Sequence, residues 1–199
     1  MVSNFSYPTI GWTAIATGVV ALIGLAFIVL FYSVGQPFGT LNDVCIALAA
    51  ILSAVLAWEL YPTHRALAPH LSQLALLAEL LGTLVVVVGS ALVISGVTGW
   101  FLAGLYMSAG NALIGLWLLA LNYSVQPSDS WPHGLVVFGL VVGVTMALGM
   151  VTIIGILRGI DAQDAAPWIV TTVGLVGGVG WVLLYPIWCI WLGRTVLLR

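Results

Sequence analysis

The sequence predicts an all-α integral membrane protein: a single transmembrane domain of six spans, arranged as three consecutive helical hairpins. Hydrophobic residues make up 62% of the chain and charged residues 5%, with a mean hydropathy of +1.22. A soluble domain carries about 25% charged residues, so most of this surface must face lipid. The apolar runs exceed the roughly 20 residues that cross a bilayer core, and they lack the alternation of a transmembrane β-barrel.

The first two spans form a tight hairpin. Span one covers about residues 10–34 and span two about residues 40–60, separated by the glycine- and proline-containing turn GQPFG. We expect Thr40 to cap the second helix, with Asp43 near its positive end. The first span lacks a basic flank and a cleavage site, which predicts a retained span rather than a removable signal peptide.

The remaining apolar sequence divides into four spans. Residues 71–123 are too many for one helix, and the GVTG segment divides them into spans 71–96 and 100–123. Spans five and six cover about residues 132–157 and 167–192, separated by a polar loop that contains Asp161 and Asp164, for which we expect structural roles. Pro186 lacks a backbone N–H and should disturb the last span.

Arginine placement predicts the orientation. Positively charged residues favour the cytoplasmic side of short loops. A cytoplasmic N-terminus puts Arg65, Arg194 and Arg199 inside and only Arg158 outside. Both termini are therefore predicted to be cytoplasmic.

Composition excludes several functions. The sequence has no lysine, so no lysine-bound retinal or pyridoxal phosphate and no Walker A lysine can be present. It has no CxxCH pattern for covalent haem. The net charge of −2, without a basic stripe, argues against nucleic-acid binding.

Titratable residues are predicted to gather near the cytoplasmic face. Carboxylates beside histidines are suited to metal binding or proton transfer, and here they would serve an enzyme that modifies lipids. The catalytic candidates are Glu59, His64, His70, Glu79 and His133. We favour a structural alternative without metal, in which Arg65 forms an ion pair with Glu59 or Glu79 and the histidines are solvated.

Polar residues at the predicted bilayer midplane are neutral: Ser53, Ser90, Asn111 and Thr145, with Ser108 one turn from Asn111. Asn111 is expected to bond a neighbouring helix or contact a ligand. The aromatic residues around Pro186 predict a notch for a lipid or another hydrophobic ligand. The predicted ligand contacts are Ser108, Asn111, Trp117, Trp181 and Tyr185.

Small residues recur at helical spacing. Glycines at 82, 89 and 96, at 139 and 143, and at 174 and 178 allow close helix approach. They predict a tight bundle, a contact surface for a second copy or another membrane protein, or a smooth ligand groove. The sequence does not distinguish between these uses.

Two short segments resemble a loose group of six-span bacterial membrane proteins of unknown function. They are FGTLND at residues 38–43 and YPIWCIWLGR at residues 185–194. The resemblance implies a bacterial inner-membrane location and assigns no site residues.

The predicted function is non-enzymatic: binding of a lipid, quinone or pigment, or service as an accessory subunit of a membrane complex. The alternatives are a small-solute transporter or channel, and a lipid-modifying enzyme at the cytoplasmic face.

Overall fold

The computed structural model describes residues 7–128 and 131–198. Within these ranges it contains six helices that are long and apolar enough to cross a membrane, and no strands. This confirms the predicted all-α, six-helix bundle. The helices are α1 (Tyr7–Val34), α2 (Phe38–Leu67), α3 (Pro69–Ile94), α4 (Trp100–Val125), α5 (His133–Leu157) and α6 (Trp168–Leu197).

The six helices form a ring in chain order. Each helix packs on the next, and α6 returns to α1. Helix α4 is the most buried and also contacts α2 and the first half of α6. We call the end with the connections 35–37, 95–99 and 158–167 the three-turn face, and the opposite end the terminal face.

Glycines face each other where neighbouring helices cross. A Cβ atom added to Gly82 of α3 would lie 2.6 Å from the carbonyl oxygen of Gly110 in α4, and the reverse holds as well. Gly115 of α4 and Gly143 of α5 face each other in the same way, because a Cβ atom added to either one would lie close to the carbonyl oxygen of the other. The backbones therefore approach more closely than any side chain would permit.

Most of the glycines singled out by spacing thus serve contacts inside the bundle. Gly89 packs on α4, Gly139 on Asn122, and Gly174 on Thr152. Two behave differently: Gly96 lies in the 95–99 turn with φ of +70°, and Gly178 faces open space.

Helix α2 is longer than predicted, because it continues past Leu60 and through Pro62 to Leu67. Only Ala68 separates it from α3, with φ of −148° and ψ of 81°. A residue before proline is driven out of the helical region, and Pro69 follows Ala68. The expected loop between spans two and three is therefore almost entirely helical.

The start of α2 also differs from the prediction. The helix begins at Phe38, and Thr40 is not its cap. The side chain of Gln36 instead accepts hydrogen bonds of 3.3 Å from both the backbone N–H and the hydroxyl of Thr40. Asp43 consequently lies more than a turn inside the helix, where it is buried.

Helix α6 changes its neighbours halfway along. A π-helical segment, Gly180–Leu184, precedes Pro186, whose ring removes a backbone donor. The part that follows this segment packs along α1. The part before it, Trp168–Val179, packs on α5 and α4. A cleft is left between α1 and the first half of α6.

Candidate functional site: a cavity near the three-turn face

A cavity of about 350 Å³ occupies the space where α1 and α6 diverge. Helices α1, α2, α4 and α6 supply most of its wall. The wall is mainly apolar, and its larger side chains include Leu25, Ile28, Ile46, Leu105 and Leu175. A concave site with apolar walls and a few polar groups is the usual form of a small-molecule binding site.

Two adjacent polar residues reach the cavity from the first turns of α2. Asn42 is 7% exposed and Asp43 is 6% exposed. The Asn42 amide donates to Asp43 Oδ1 over 3.4 Å, which is a long hydrogen bond. Of the described residues that line the cavity, Asp43 is the one that carries a charge. Sequence reasoning placed it at the helix end, because it set the start of α2 two residues too late.

Helix α4 contributes two polar side chains to the same cavity. Asn111 is 5% exposed, and its Oδ1 atom has no hydrogen-bond partner among the described residues. Ser108 lies about one turn earlier, and its buried hydroxyl oxygen is also without a partner there. Buried polar atoms without a partner are uncommon in folded proteins.

Aromatic rings border the cavity at two depths. Trp100 and Phe101 stand at the start of α4, and Trp181 is 4% exposed in the π-helical segment of α6. The Trp181 ring stacks on Tyr185, with centroids 5.2 Å apart and planes at 17°. The cavity is therefore separated from the core beneath it by a stacked aromatic pair.

Two glycines keep the cavity open. A Cβ atom added at Gly104 of α4 or at Gly178 of α6 would meet nothing within 4 Å, and both residues line the cavity. Larger side chains at these positions would therefore enter the space. Sequence spacing alone treats Gly178 like Gly174, although Gly174 lies against Thr152.

The five predicted ligand contacts separate into two groups. Ser108, Asn111 and Trp181 line the cavity. Trp117 is 1% exposed and packs edge-on against Trp188 at 6.4 Å between centroids, and Tyr185 is fully buried. Neither belongs to the lining. Binding by any of the five stays a prediction.

A second polar cluster lies in the core of the bundle. The Ser53 hydroxyl donates to Glu79 Oε1 over 2.7 Å, and the Tyr185 hydroxyl donates to Ser53 over 2.6 Å, since the Ser53 proton is already used. Glu79 is fully buried, and its Oε2 atom has no partner among the described residues.

A carboxyl group therefore lies near the middle of α3, next to the neutral side chain of Ser53 in α2. Glu79 lies ten residues after Pro69, the first residue of α3. At 1.5 Å per residue this is about 15 Å, half of a bilayer core. Ser53, near the middle of α2, is hydrogen-bonded to Glu79 and so lies at the same depth.

The residues predicted to form an ion pair, Glu59, Arg65 and Glu79, have other neighbours in the structure. Glu59 Oε1 accepts a hydrogen bond of 3.3 Å from Thr13 of α1, and Arg65 is exposed on the last turns of α2. Across the ranges 7–128 and 131–198, no ion pair joins Arg65 to Glu59 or Glu79.

The histidines are also dispersed. The His64 ring forms a hydrogen bond of 3.1 Å with the hydroxyl of Ser124, whereas His70 and His133 are exposed at the first turns of α3 and α5. Among the residues that the structure describes, no three His, Cys, Asp or Glu side chains are arranged to hold a metal ion.

One structural contact escaped sequence reasoning. Asp161, in the connection before α6, accepts backbone hydrogen bonds from Gly99 and Leu102 at the start of α4. Its partners are 62 and 59 residues away in the chain, so no local pattern could reveal this cap.

The fold and the cavity together define an integral membrane protein with an internal space near one face. Comparison of the chain with protein-family models, curated proteins and solved structures finds no match.

Proposed function

We propose that this protein binds a small lipophilic molecule in the cavity and that its role is non-enzymatic. The observation that carries the proposal is a space of about 350 Å³ with apolar walls, whose lining includes Ser108 and Asn111, each with a buried side-chain oxygen that has no partner among the described residues. The apolar wall suits the body of a lipophilic molecule, and the polar atoms suit one hydrogen-bonding group.

The position of the cavity supports exchange with the membrane. The cleft between α1 and the first half of α6 gives the space a side facing the surrounding lipid, with Leu25 and Ile28 on one edge and Leu175 on the other. Leu175 is 69% exposed. A molecule dissolved in the bilayer reaches such a site without crossing the headgroup layer.

The glycines favour a ligand over a protein partner as the main occupant. Gly82, Gly139 and Gly143 are used for contacts between neighbouring helices of the same chain. They are therefore not free for a second copy or an accessory subunit, whereas Gly104 and Gly178 enlarge the cavity.

The test is native mass spectrometry of protein extracted gently from its own membrane. We expect a bound mass of a few hundred daltons on the wild type and its loss in Gly178→Leu, where the new side chain fills the cavity. Gly134→Leu is the matched control, because Gly134 is exposed on α5 and an added Cβ atom there has only ordinary contacts. A bare wild type, or a ligand that persists in Gly178→Leu, would contradict the proposal.

Transport is the second candidate, favoured by Glu79. A carboxyl group at the centre of a membrane domain is costly and often marks a pathway for protons or ions. Glu79 has one buried oxygen without a partner in the described chain. Substrate-dependent flux in vesicles, lost in Glu79→Gln, would support transport over static binding.

A further inference from the structure

We propose that the ligand of this cavity carries a protonated amine, held by the carboxylate of Asp43 and the side-chain oxygen of Asn111. This inference rests on the proposed function and deepens it, since it names the chemistry of the polar end. The class of ligand is an amphiphile with an ammonium group on an apolar body.

The surroundings of Asp43 supply the first reason. Asp43 is 6% exposed, and within the described chain its carboxylate receives one long hydrogen bond, from the amide of Asn42. A buried carboxylate is stabilised by a cation or by several strong donors, and without them the protonated form is favoured. Among the described residues, the cavity lining contains no arginine, lysine or histidine. A cation brought by the ligand completes the site.

The atoms without partners supply the second, independent reason. Asn111 Oδ1 is an acceptor that is buried on α4, and Asn111 lines the same cavity as Asp43. The Ser108 hydroxyl also has accepting lone pairs. An ammonium group has three donors and no acceptor, which matches these atoms. An anionic group on the ligand would instead be repelled by the Asp43 carboxylate. No basic side chain among the described lining residues would offset that repulsion.

The aromatic residues are consistent with the same charge. Trp100, Phe101 and Trp181 all line the cavity. Indole rings attract a cation placed over their faces, and Trp is the strongest of the aromatic side chains in this respect. The aliphatic wall formed by α1 and α6 is left for the apolar body of the ligand.

The experiment compares three probes with the same alkyl chain: dodecylamine, dodecanol and dodecanoate. Each is titrated by calorimetry into nanodiscs that hold the full chain, and empty nanodiscs measure partition into lipid. The variants are wild type, Asp43→Asn, Gly178→Leu and Asp164→Asn. Asp164→Asn is the matched control, because it removes the same charge from an exposed residue near the three-turn face.

We expect wild type to bind dodecylamine about tenfold more tightly than dodecanol, as hydrogen bonds to charged groups imply, and dodecanoate least of all. Asp43→Asn should lose this preference yet still bind dodecanol, whereas Asp164→Asn should keep it. Gly178→Leu should bind none of the probes.

Two other results would overturn the inference differently. If wild type binds dodecanol as well as dodecylamine, and Gly178→Leu abolishes both, the amine is wrong and the ligand-binding function stands. If no probe binds wild type beyond empty nanodiscs, both proposals fail.

Discussion

Asp161 holds the beginning of α4 through the backbone of Gly99: its Oδ2 atom accepts the Gly99 N–H over 2.7 Å. Its other oxygen accepts the N–H of Leu102 over 3.0 Å. A carboxylate in this position satisfies the free N–H groups of a helix start and complements its partial positive charge. The connection between α5 and α6 is thereby tied to the connection between α3 and α4.

Removal of this cap should weaken the fold. We expect Asp161→Ala to lower the free energy of unfolding by about 1 kcal/mol, the usual loss for a helix N-cap. Asp164→Ala, in the same connection and exposed, should have almost no effect. Thermal unfolding in detergent, followed by circular dichroism, measures both. Equal stability of the two variants would show that the contact contributes nothing.

The α3–α4 crossing should tolerate no added methyl group. We expect Gly82→Ala to destabilise the protein by about 1–3 kcal/mol, since overpacking forces the backbones apart. The control is Gly104→Ala on α4, where an added Cβ meets nothing within 4 Å. That variant should be neutral or slightly more stable, because alanine favours a helix. The same unfolding assay compares them, and a stable Gly82→Ala would contradict the close approach.

The core hydrogen bonds should make Ser53 unusually sensitive. Ser53→Ala removes the link between Glu79 and Tyr185 and leaves both buried without that partner. We expect a loss of about 1–3 kcal/mol, the penalty for unsatisfied buried polar groups. Ser95→Ala is the control, because Ser95 is exposed and bonds only carbonyls of its own helix. A loss no greater than the control's would argue against the network.

The predicted orientation is testable by cysteine labelling. In a Cys45→Ala background, Asp164→Cys should react from outside intact cells, and Thr63→Cys only after the membrane is opened. Both positions are exposed, at opposite faces of the bundle. The remaining native thiol, Cys189, is fully buried and should stay unlabelled. The reverse labelling pattern would invert the topology.

Composition and apolar run length were enough to predict the six helices, because lipid exposure selects residues along the whole chain. They placed Glu79 about two turns into span three, and it lies ten residues into α3 because the helix begins at Pro69. They did not separate Gly178 from Gly174, because identical spacing serves a helix contact in one case and an open space in the other. The neighbour across each glycine is set by tertiary packing alone.

The same limit applies to the aromatic residues. Trp117 and Trp181 both lie away from span ends in the sequence, yet one fills the core beside Trp188 and the other borders the cavity. The difference comes from α6, whose π-helical segment carries Trp181 to the point where the helix leaves α1.

The change of neighbours along α6 makes the two halves of the bundle unequal. Around the terminal half, α6 closes the ring against α1, with Gly11 and Gly193 in contact. In the half of the bundle near the three-turn face, α6 packs on α5 instead, and this leaves a gap between α6 and α1. If the cavity binds a lipid-soluble molecule as proposed, that molecule reaches it from a single leaflet, whichever way the chain is inserted.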